Sequence, residues 1–303
     1  SKVIWWILND PRCFSGDVRL GQQVAVGRAV PFVALHCACG LIVWVGVSTT
    51  AVLCACFFFV VRMFFITGFF HRYFSLRAFQ ANRAVQFLMA VLGCTAGQRG
   101  PLWWAGHHRE HHAYADTEHD PHSPSRCGLL FSHMLWFLTP ARFAVPEPRV
   151  ADWLRFPELR WLERLDWLPF VLFAVGSWAL GGWLESRAPE FGTNAPQMLV
   201  WCGVVSTVVL YHATYTINSL AHQFGKRQFP TADDSRNNMW LALLTLGEGW
   251  HNNHHFCPTA ARQGFLWWQF DPTYAGLRLL AAVRLIRNLR PIPNRVLTAA
   301  RES

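Results

Sequence analysis

AVPFVALHCACGLIVWVGVSTTAVLCACFFFVVRMFFITGFF, residues 29–70, carries a single charge, Arg62. As one helix, at roughly 1.5 Å per residue, it would be about twice as long as a ~30 Å hydrocarbon core is thick. It must therefore fold back, and the polar break Ser48-Thr49-Thr50 is the place to turn, which predicts spans at about 29–47 and 51–70. Further on, residues 167–184 are uncharged, and beyond the polar stretch 185–194 a fourth apolar run covers about 196–217. These predict a second hairpin. Two shorter apolar runs, 84–97 and 239–247, fall below crossing length and read as buried or interfacial helices.

Composition agrees with a chain partly dissolved in lipid. Hydrophobic residues make up 52% and charged residues only 15%, a balance unlike that of a soluble domain. The net charge of +9 sits beside apolar runs instead of along one basic stripe, which argues against nucleic acid as a partner and for a lipid bilayer. The nine Cys show no CxxC pair; Cys37, Cys39, Cys54 and Cys56 lie inside apolar runs and read as reduced packing residues. The stretch up to Arg28 lacks the basic-then-apolar order of a cleavable signal.

Basic residues set the orientation. Residues 71–166 and the segment after Ile217 are rich in Arg and Lys, whereas the connections near Ser48 and Glu185 hold none and only Arg187. The positive-inside rule then puts both termini and the middle segment in the cytoplasm. The expected organisation is an all-α membrane protein: a cytoplasmic N-terminal segment (1–28), hairpin one (29–70), a cytoplasmic segment (71–166), hairpin two (167–217) and a cytoplasmic segment (218–303). Four transmembrane helices in two hairpins would thus carry a cytoplasmic helical cap.

Histidines collect on the cytoplasmic side of this scheme. His71 opens HRYFSLRAF; HHREHHAYADTEHDPH holds His107, His108, His111, His112, His119 and His122; GEGWHNNHHFCP holds His251, His254 and His255. Each cluster follows an even number of crossings, so parity puts all three on one face. Positions i, i+3 and i+4 share one side of a helix, and His108/His111/His112 and His251/His254/His255 both have that HxxHH spacing. Asn218 and His222, four apart in NSLAHQFG, join them as the fourth span ends. Eight imidazoles exceed the four ligands of a structural zinc, so two metals are the economical reading. Glu110, Asp116, Glu118, Asp120 and Glu248 lie close by in sequence, and Glu110, Asp116 and Glu248 are the candidates to accept the outer N–H of a ligating imidazole. His36, His133 and His212 have no neighbours that make a site.

At this point the sequence resembles the membrane-bound fatty acyl-CoA desaturases of the stearoyl-CoA Δ9 type and their bacterial relatives. The resemblance rests on HRYFS at His71, GPLWWAGHHREHH at 100–112, NSLAH at 218–222, DDSRNN at 233–238 and GEGWHNNHH at 247–255, in the family's order. It implies four transmembrane helices, a cytoplasmic helical domain and a nitrogen-ligated pair of iron ions (Fe2+/Fe3+). It also implies His71, His108, His111, His112, His222, His251, His254 and His255 as ligands, with Asn218 acting through a water. One departure stands out: the family's first box is H-x4-H, and its second histidine falls here on Leu76, leaving a ligand for water, Gln98, His107 or His119 to replace.

Breaking an unactivated methylene C–H bond requires a redox metal that activates dioxygen. The implied reaction is O2-dependent desaturation of a long-chain fatty acyl substrate, acyl-CoA and Δ9-like by resemblance. The same cage also suits hydroxylation, acetylenic bond formation or decarboxylation to a 1-alkene, and the Leu76 replacement leaves open a non-catalytic metal-binding protein. Trp103, Trp104 and Trp250 are candidates for an acyl tunnel or its support. With no HPGG, clustered Cys or GxGxxG in the sequence, the electrons must come from an external donor of ferredoxin, rubredoxin or cytochrome type. Lys226, Arg227 and Arg236 are candidates to dock it. Redox-inert Zn is a substitute metal expected in purified protein.

Overall fold

The computed structural model describes residues 23–302, so most of the expected N-terminal segment lies outside the described residues. The protein is mostly helical. Four helices are long and apolar enough to cross a membrane: α1 (Val26–Val45), α2 (Thr49–Ser75), and, later in the chain, Leu168–Arg187 and Ala195–His222. Their outward faces are apolar, as at Val43, Trp44, Leu53, Phe57 and Leu172, the surface expected of a protein solvated by lipid.

The turns follow from local chemistry. Gly46 ends α1 at φ 70, a conformation glycine adopts without steric cost. Ser48 then caps α2 by accepting the Ala51 N–H at 3.2 Å. α2 does not stop at Phe70 as expected. From Phe65 its hydrogen bonds lengthen to the i→i+5 pattern, and the helix runs on through His71 to Ser75. Widened turns of this kind are common at functional sites, and here residues 66–75 are all buried.

Between α2 and the third long helix come α3 (Arg83–Cys94), which buries one face and exposes Phe87 and Leu88, α4 (Pro101–Tyr114) and α5 (Pro157–Arg164). The third and fourth long helices are α6 (Leu168–Arg187) and α7 (Ala195–His222); Asn194 caps α7 through the Gln197 N–H at 3.0 Å. The connection after α1 and the one before α7 meet. Thr50 donates to the Phe191 carbonyl at 2.6 Å, Gln197 to that of Val45 at 2.8 Å, and Trp201 to that of Gly46 at 3.0 Å. Both therefore lie at one end of the bundle, and the ends of α2 and α7 that carry His71 and His222 lie at the other.

Inside the bundle Arg62 is buried, and among the described residues it has no acid as a partner. Its guanidinium donates to Thr207 at 2.7 Å, to Ser206 at 2.8 Å and to the carbonyls of Cys202, Thr95 and Phe58, and it stacks over the Phe173 ring. Five hydrogen bonds replace its hydration, which is the condition for a charge to exist at that depth. After α7 the chain forms α8 (Met239–Leu244), α9 (His251–Phe256), α10 (Pro272–Ala282) and α11 (Asn294–Glu302). Among the described residues one strand pair, β1 (Gln80–Ala81) with β2 (Ile286–Arg287), ties the stretch after α10 to the turn after α2.

Candidate metal centre

α4 begins at Pro101, whose missing N–H is no loss at a helix start. The buried carboxylate of Glu163 accepts the next two amides, Leu102 N–H at 2.9 Å and Trp103 N–H at 3.2 Å. Gly100 is required beside it, because a Cβ there would collide with that carboxylate. The helix so anchored presents His108, His111 and His112. α9 presents His251, His254 and His255, and the ends of α2 and α7 supply His71 and His222.

The eight imidazoles form two sets of four: His71, His108, His112 and His254, and His111, His222, His251 and His255. Within each set one nitrogen per ring lies within 4.8 Å of all the others. In the first, His71 and His112 bring Nε2 to 3.1 and 2.8 Å from His254 Nε2, and His108 Nε2 lies 3.0 Å from that of His112. In the second, the Nε2 atoms of His222 and His251 are 3.0 Å apart. The sets adjoin, with the rings of His112 and His255 4.5 Å centre to centre.

HxxHH spacing on one side of a helix does not send a motif's three imidazoles to one set. His108 and His112 serve one set while His111 serves the other; His251 and His255 serve the second while His254 crosses to the first. Residues i and i+4 are offset by about 40° around a helix, but i+3 and i+4 by about 100°. The i+3 ring therefore swings away from its neighbours, and each helix contributes to both sets.

Carboxylates fix how these rings are protonated. The Nδ1 atom of His111 lies 3.0 Å from Asp120, that of His222 2.7 Å from Asp116 and that of His255 3.0 Å from Asp233; His71 Nδ1 contacts Glu248. A carboxylate accepting the Nδ1–H leaves the Nε2 lone pair facing inward, the form in which imidazole binds metal. Burial first, and then the neighbouring imidazoles, push His108, His112, His251 and His254 well below the usual histidine range, and burial takes His255 down to about 4 despite Asp233. The shift favours the neutral ring in each case. Burial works against ionised Asp116, yet its hydrogen bond from His222 leads the contacts that bring it down to about 2. The Nε2 atoms of His111 and His255 are buried without a hydrogen-bond partner. Converging lone pairs and orphaned nitrogens suit a pair of metal ions, so the donor set fits the iron pair that the resemblance implies.

Of the three nominated supporting acids, Asp116 and Glu248 stand beside imidazoles of the two sets. Glu110 does not. It takes Arg142 at 2.9 Å and lies 3.5 Å from His107 Nδ1, because three residues along α4 from His107 it shares that ring's side of the helix. Asp233, within DDSRNN, carries no such signal in the sequence, since its register against His255 depends on the path of the chain between them. Arg72 and Gln263 behind Glu248 were equally silent: Arg72 donates to Glu248 at 2.9 Å and to Asp271 at 3.1 Å, and Gln263 to Glu248 at 3.1 Å.

The candidates for the place vacated at Leu76 lie elsewhere. His107 is buried among Trp103 and Trp136, His119 is exposed beside Glu118, and Gln98 donates to Thr214 at 3.0 Å. His122 stacks on His111, with ring centres 4.4 Å apart. His36, His212 and His133 join in a row, with nitrogens 3.1 and 3.0 Å apart, that ends on Ser219; their nitrogens follow one another and do not converge.

A cavity of about 350 Å³ reaches the histidines, walled by Trp103, Trp104, Trp136, Tyr215, His108 and Asn218. A smaller one of about 40 Å³ touches rings of both sets as well as Asn218, room enough for a water. Trp103 and Trp104 thus face the larger cavity, while Trp250 donates to the Phe270 carbonyl at 2.8 Å and braces the start of α9.

Residues 42–283 match the fatty acid desaturase family. The chain is 34% identical to an sn-2 palmitoyl-lipid 9-desaturase of Nostoc sp. (strain 36) over 74% of its own length and 75% of that protein's. It is 37% identical to a probable chloroplastic lipid desaturase of Arabidopsis thaliana over 74% of its length, spanning 59% of that relative. With an acyl-CoA 5-desaturase of Anemone leveillei it shares 35% identity, covering 75% of this chain and 67% of the other.

Proposed function

This chain belongs to the fatty acid desaturase family, and from that premise we propose that it introduces a double bond into a long-chain fatty acyl group carried by a lipid or by coenzyme A. The observation that carries the reading is two adjoining four-histidine sets, one member of which, His108, lines an aromatic cavity. His71, His108, His112 and His254 would hold one iron; His111, His222, His251 and His255 would hold the other, with Asn218 acting through a water. The iron pair supplies the oxidising power, drawn from dioxygen, that no acid or base in the protein has.

The protein's own residues do the rest. Asp116, Asp120, Asp233 and Glu248 keep the Nδ1 protons and aim the Nε2 lone pairs. Trp104 and Tyr215 wall the cavity that holds an apolar chain and keep water from it, while His108 and Asn218 mark where the chain passes the metals. Removal of two hydrogens from the chain, together with two electrons and two protons from outside, reduces dioxygen to two waters, so an external donor is part of the proposal. The exposed Arg227 and the half-buried Arg236 suit docking of an acidic redox partner. The wider arrangement proposed is two transmembrane hairpins at 29–70 and 167–217, with both termini and the histidine-bearing segments 71–166 and 218–303 cytoplasmic; the double bond is Δ9-like and cis.

Gas chromatography with mass spectrometry of lipids from a host expressing the chain tests this. A new monounsaturated acyl chain, absent with His111→Ala, is expected. A hydroxylated, acetylenic or terminal-alkene product would replace desaturation with a sister reaction on the same cage, and an unchanged lipid profile beside fully metal-loaded protein would overturn the catalytic reading.

A further inference from the structure

A second cavity, of about 420 Å³, has none of the eight histidines in its wall. Four arginines border it: Arg77, Arg155, Arg287 and Arg290. Backbone pairing brings them together. Gln80 lies opposite Arg287 in the strand pair, and the Arg290 N–H donates to the Ala78 carbonyl at 2.8 Å, so the stretch after α10 is laid across the turn after α2. Arg77 sits at φ 55, unusual for a side chain of its size, with its guanidinium 3.8 Å over the Trp153 ring and 2.6 Å from Asp152.

Asp152 is shared with Arg109 at 2.8 Å, and it is the cavity's nearby acid. Arg155, Arg287 and Arg290 are exposed, and none pairs with a carboxylate among the described residues. Tyr73 and the buried Trp153 lie beneath them. Three guanidinium forks without a carboxylate partner, beside Arg77 held by Asp152 and over an aromatic floor, match the charge and bidentate geometry of a phosphate. Depth selects its carrier. Arg77 stands two residues beyond the end of a membrane-crossing helix, and Gln86 in the cavity wall belongs to α3, which exposes Phe87 and Leu88 on its other sides. Arginines at that level meet headgroups, and the exposed apolar side chains of α3 meet acyl tails.

We propose that this basin binds the phosphate of an anionic phospholipid headgroup at a site separate from the acyl cavity. The lipid sits against Tyr73, two residues from His71, and so braces the end of α2 on which the metal centre is built; Tyr73 already donates to Gln86 at 3.0 Å. The inference needs the chain to lie in a bilayer but does not need it to be a desaturase.

The test is native mass spectrometry of the full chain released from detergent with dioleoyl-phosphatidylglycerol or dioleoyl-phosphatidylcholine. One phosphatidylglycerol per chain is expected to be retained in preference to phosphatidylcholine. Each basic side chain near a membrane surface changes binding by about fivefold. The combined Arg155→Gln, Arg287→Gln and Arg290→Gln variant should therefore weaken retention on the order of a hundredfold. Arg160→Gln, Arg278→Gln and Arg301→Gln, an equal change of charge outside the basin, should leave it unaltered, with thermal unfolding confirming that both variants fold. Equal retention of the two lipids, or equal weakening in the two triple variants, overturns the site. Displacement of phosphatidylglycerol by millimolar inorganic phosphate would keep the phosphate site but overturn its lipid occupant.

Discussion

Substituting Asp116 separates the charge that supports a ligand from the contacts that position it. Its Oδ2 accepts from His222 Nδ1 at 2.7 Å and from the Asp234 N–H at 2.9 Å, while its Oδ1 accepts from Ser123 at 2.6 Å. In Asp116→Asn the amide oxygen can take the Oδ2 place and keep two of these bonds, and the amide nitrogen then faces a Ser123 hydroxyl that can rotate to accept. Only the negative charge is lost. Loss of a carboxylate behind a metal-bound imidazole costs roughly 10–100-fold in metal affinity, and with geometry retained Asp116→Asn belongs at the tenfold end, about 1.4 kcal/mol.

Asp116→Ala frees the His222 ring and strands the Asp234 amide, so about a hundredfold is expected, near 2.7 kcal/mol. It also places alanine at φ 57, a left-handed conformation that asparagine tolerates and that costs alanine about 1 kcal/mol more. Asp116 touches only the set of His111, His222, His251 and His255. Inductively coupled plasma mass spectrometry after dialysis against graded chelator should therefore show one of two metal equivalents released early and the other held as in the parent. Release of both together, or parental retention of both by Asp116→Ala, would refute the assignment of this carboxylate to a single set.

His254→Ala, which removes the ring approached by both His71 and His112, should lower the bound metal from about two equivalents to about one and abolish the unsaturated product, read by metal analysis and gas chromatography. Gly93→Ala places a methyl group inside the fully buried Phe70 ring, next to His71. Overpacking of this kind costs about 1–3 kcal/mol, a loss of several degrees in Tm in detergent. Glu163 predicts a pH dependence. Burial first, then Asp166, pushes its carboxyl up to about 7 against the pull of Arg99 and two backbone amides. An acid whose folded pKa exceeds its unfolded value contributes stability at low pH that is lost as pH rises through the folded pKa. Thermal unfolding at pH 8 should therefore come at a lower temperature than at pH 6, and Glu163→Gln should flatten the difference.

Local pattern was enough for the long helices and for the imidazoles that the structure gathers into two sets. Apolar run length marked four long helices to within a few residues, because the thickness of hydrocarbon constrains each run independently of the rest of the chain. His71, His222 and the two HxxHH motifs were legible for a similar reason: eight imidazoles in short motifs have few uses other than metal binding. Folding alone decided how they divide. Whether His111 joins His112 or His222 depends on where α4 lies against α7 and α9, and whether Asp233 or Glu110 reaches a ring depends on contacts between residues far apart in sequence or on opposite sides of one helix. The continuation of α2 past Phe70, the burial of Arg62 against Ser206 and Thr207 and the arginine basin at β1 and β2 arise in the same way. Spacing along a chain reports which side of one helix a residue occupies; it carries no information on which other element that side will meet.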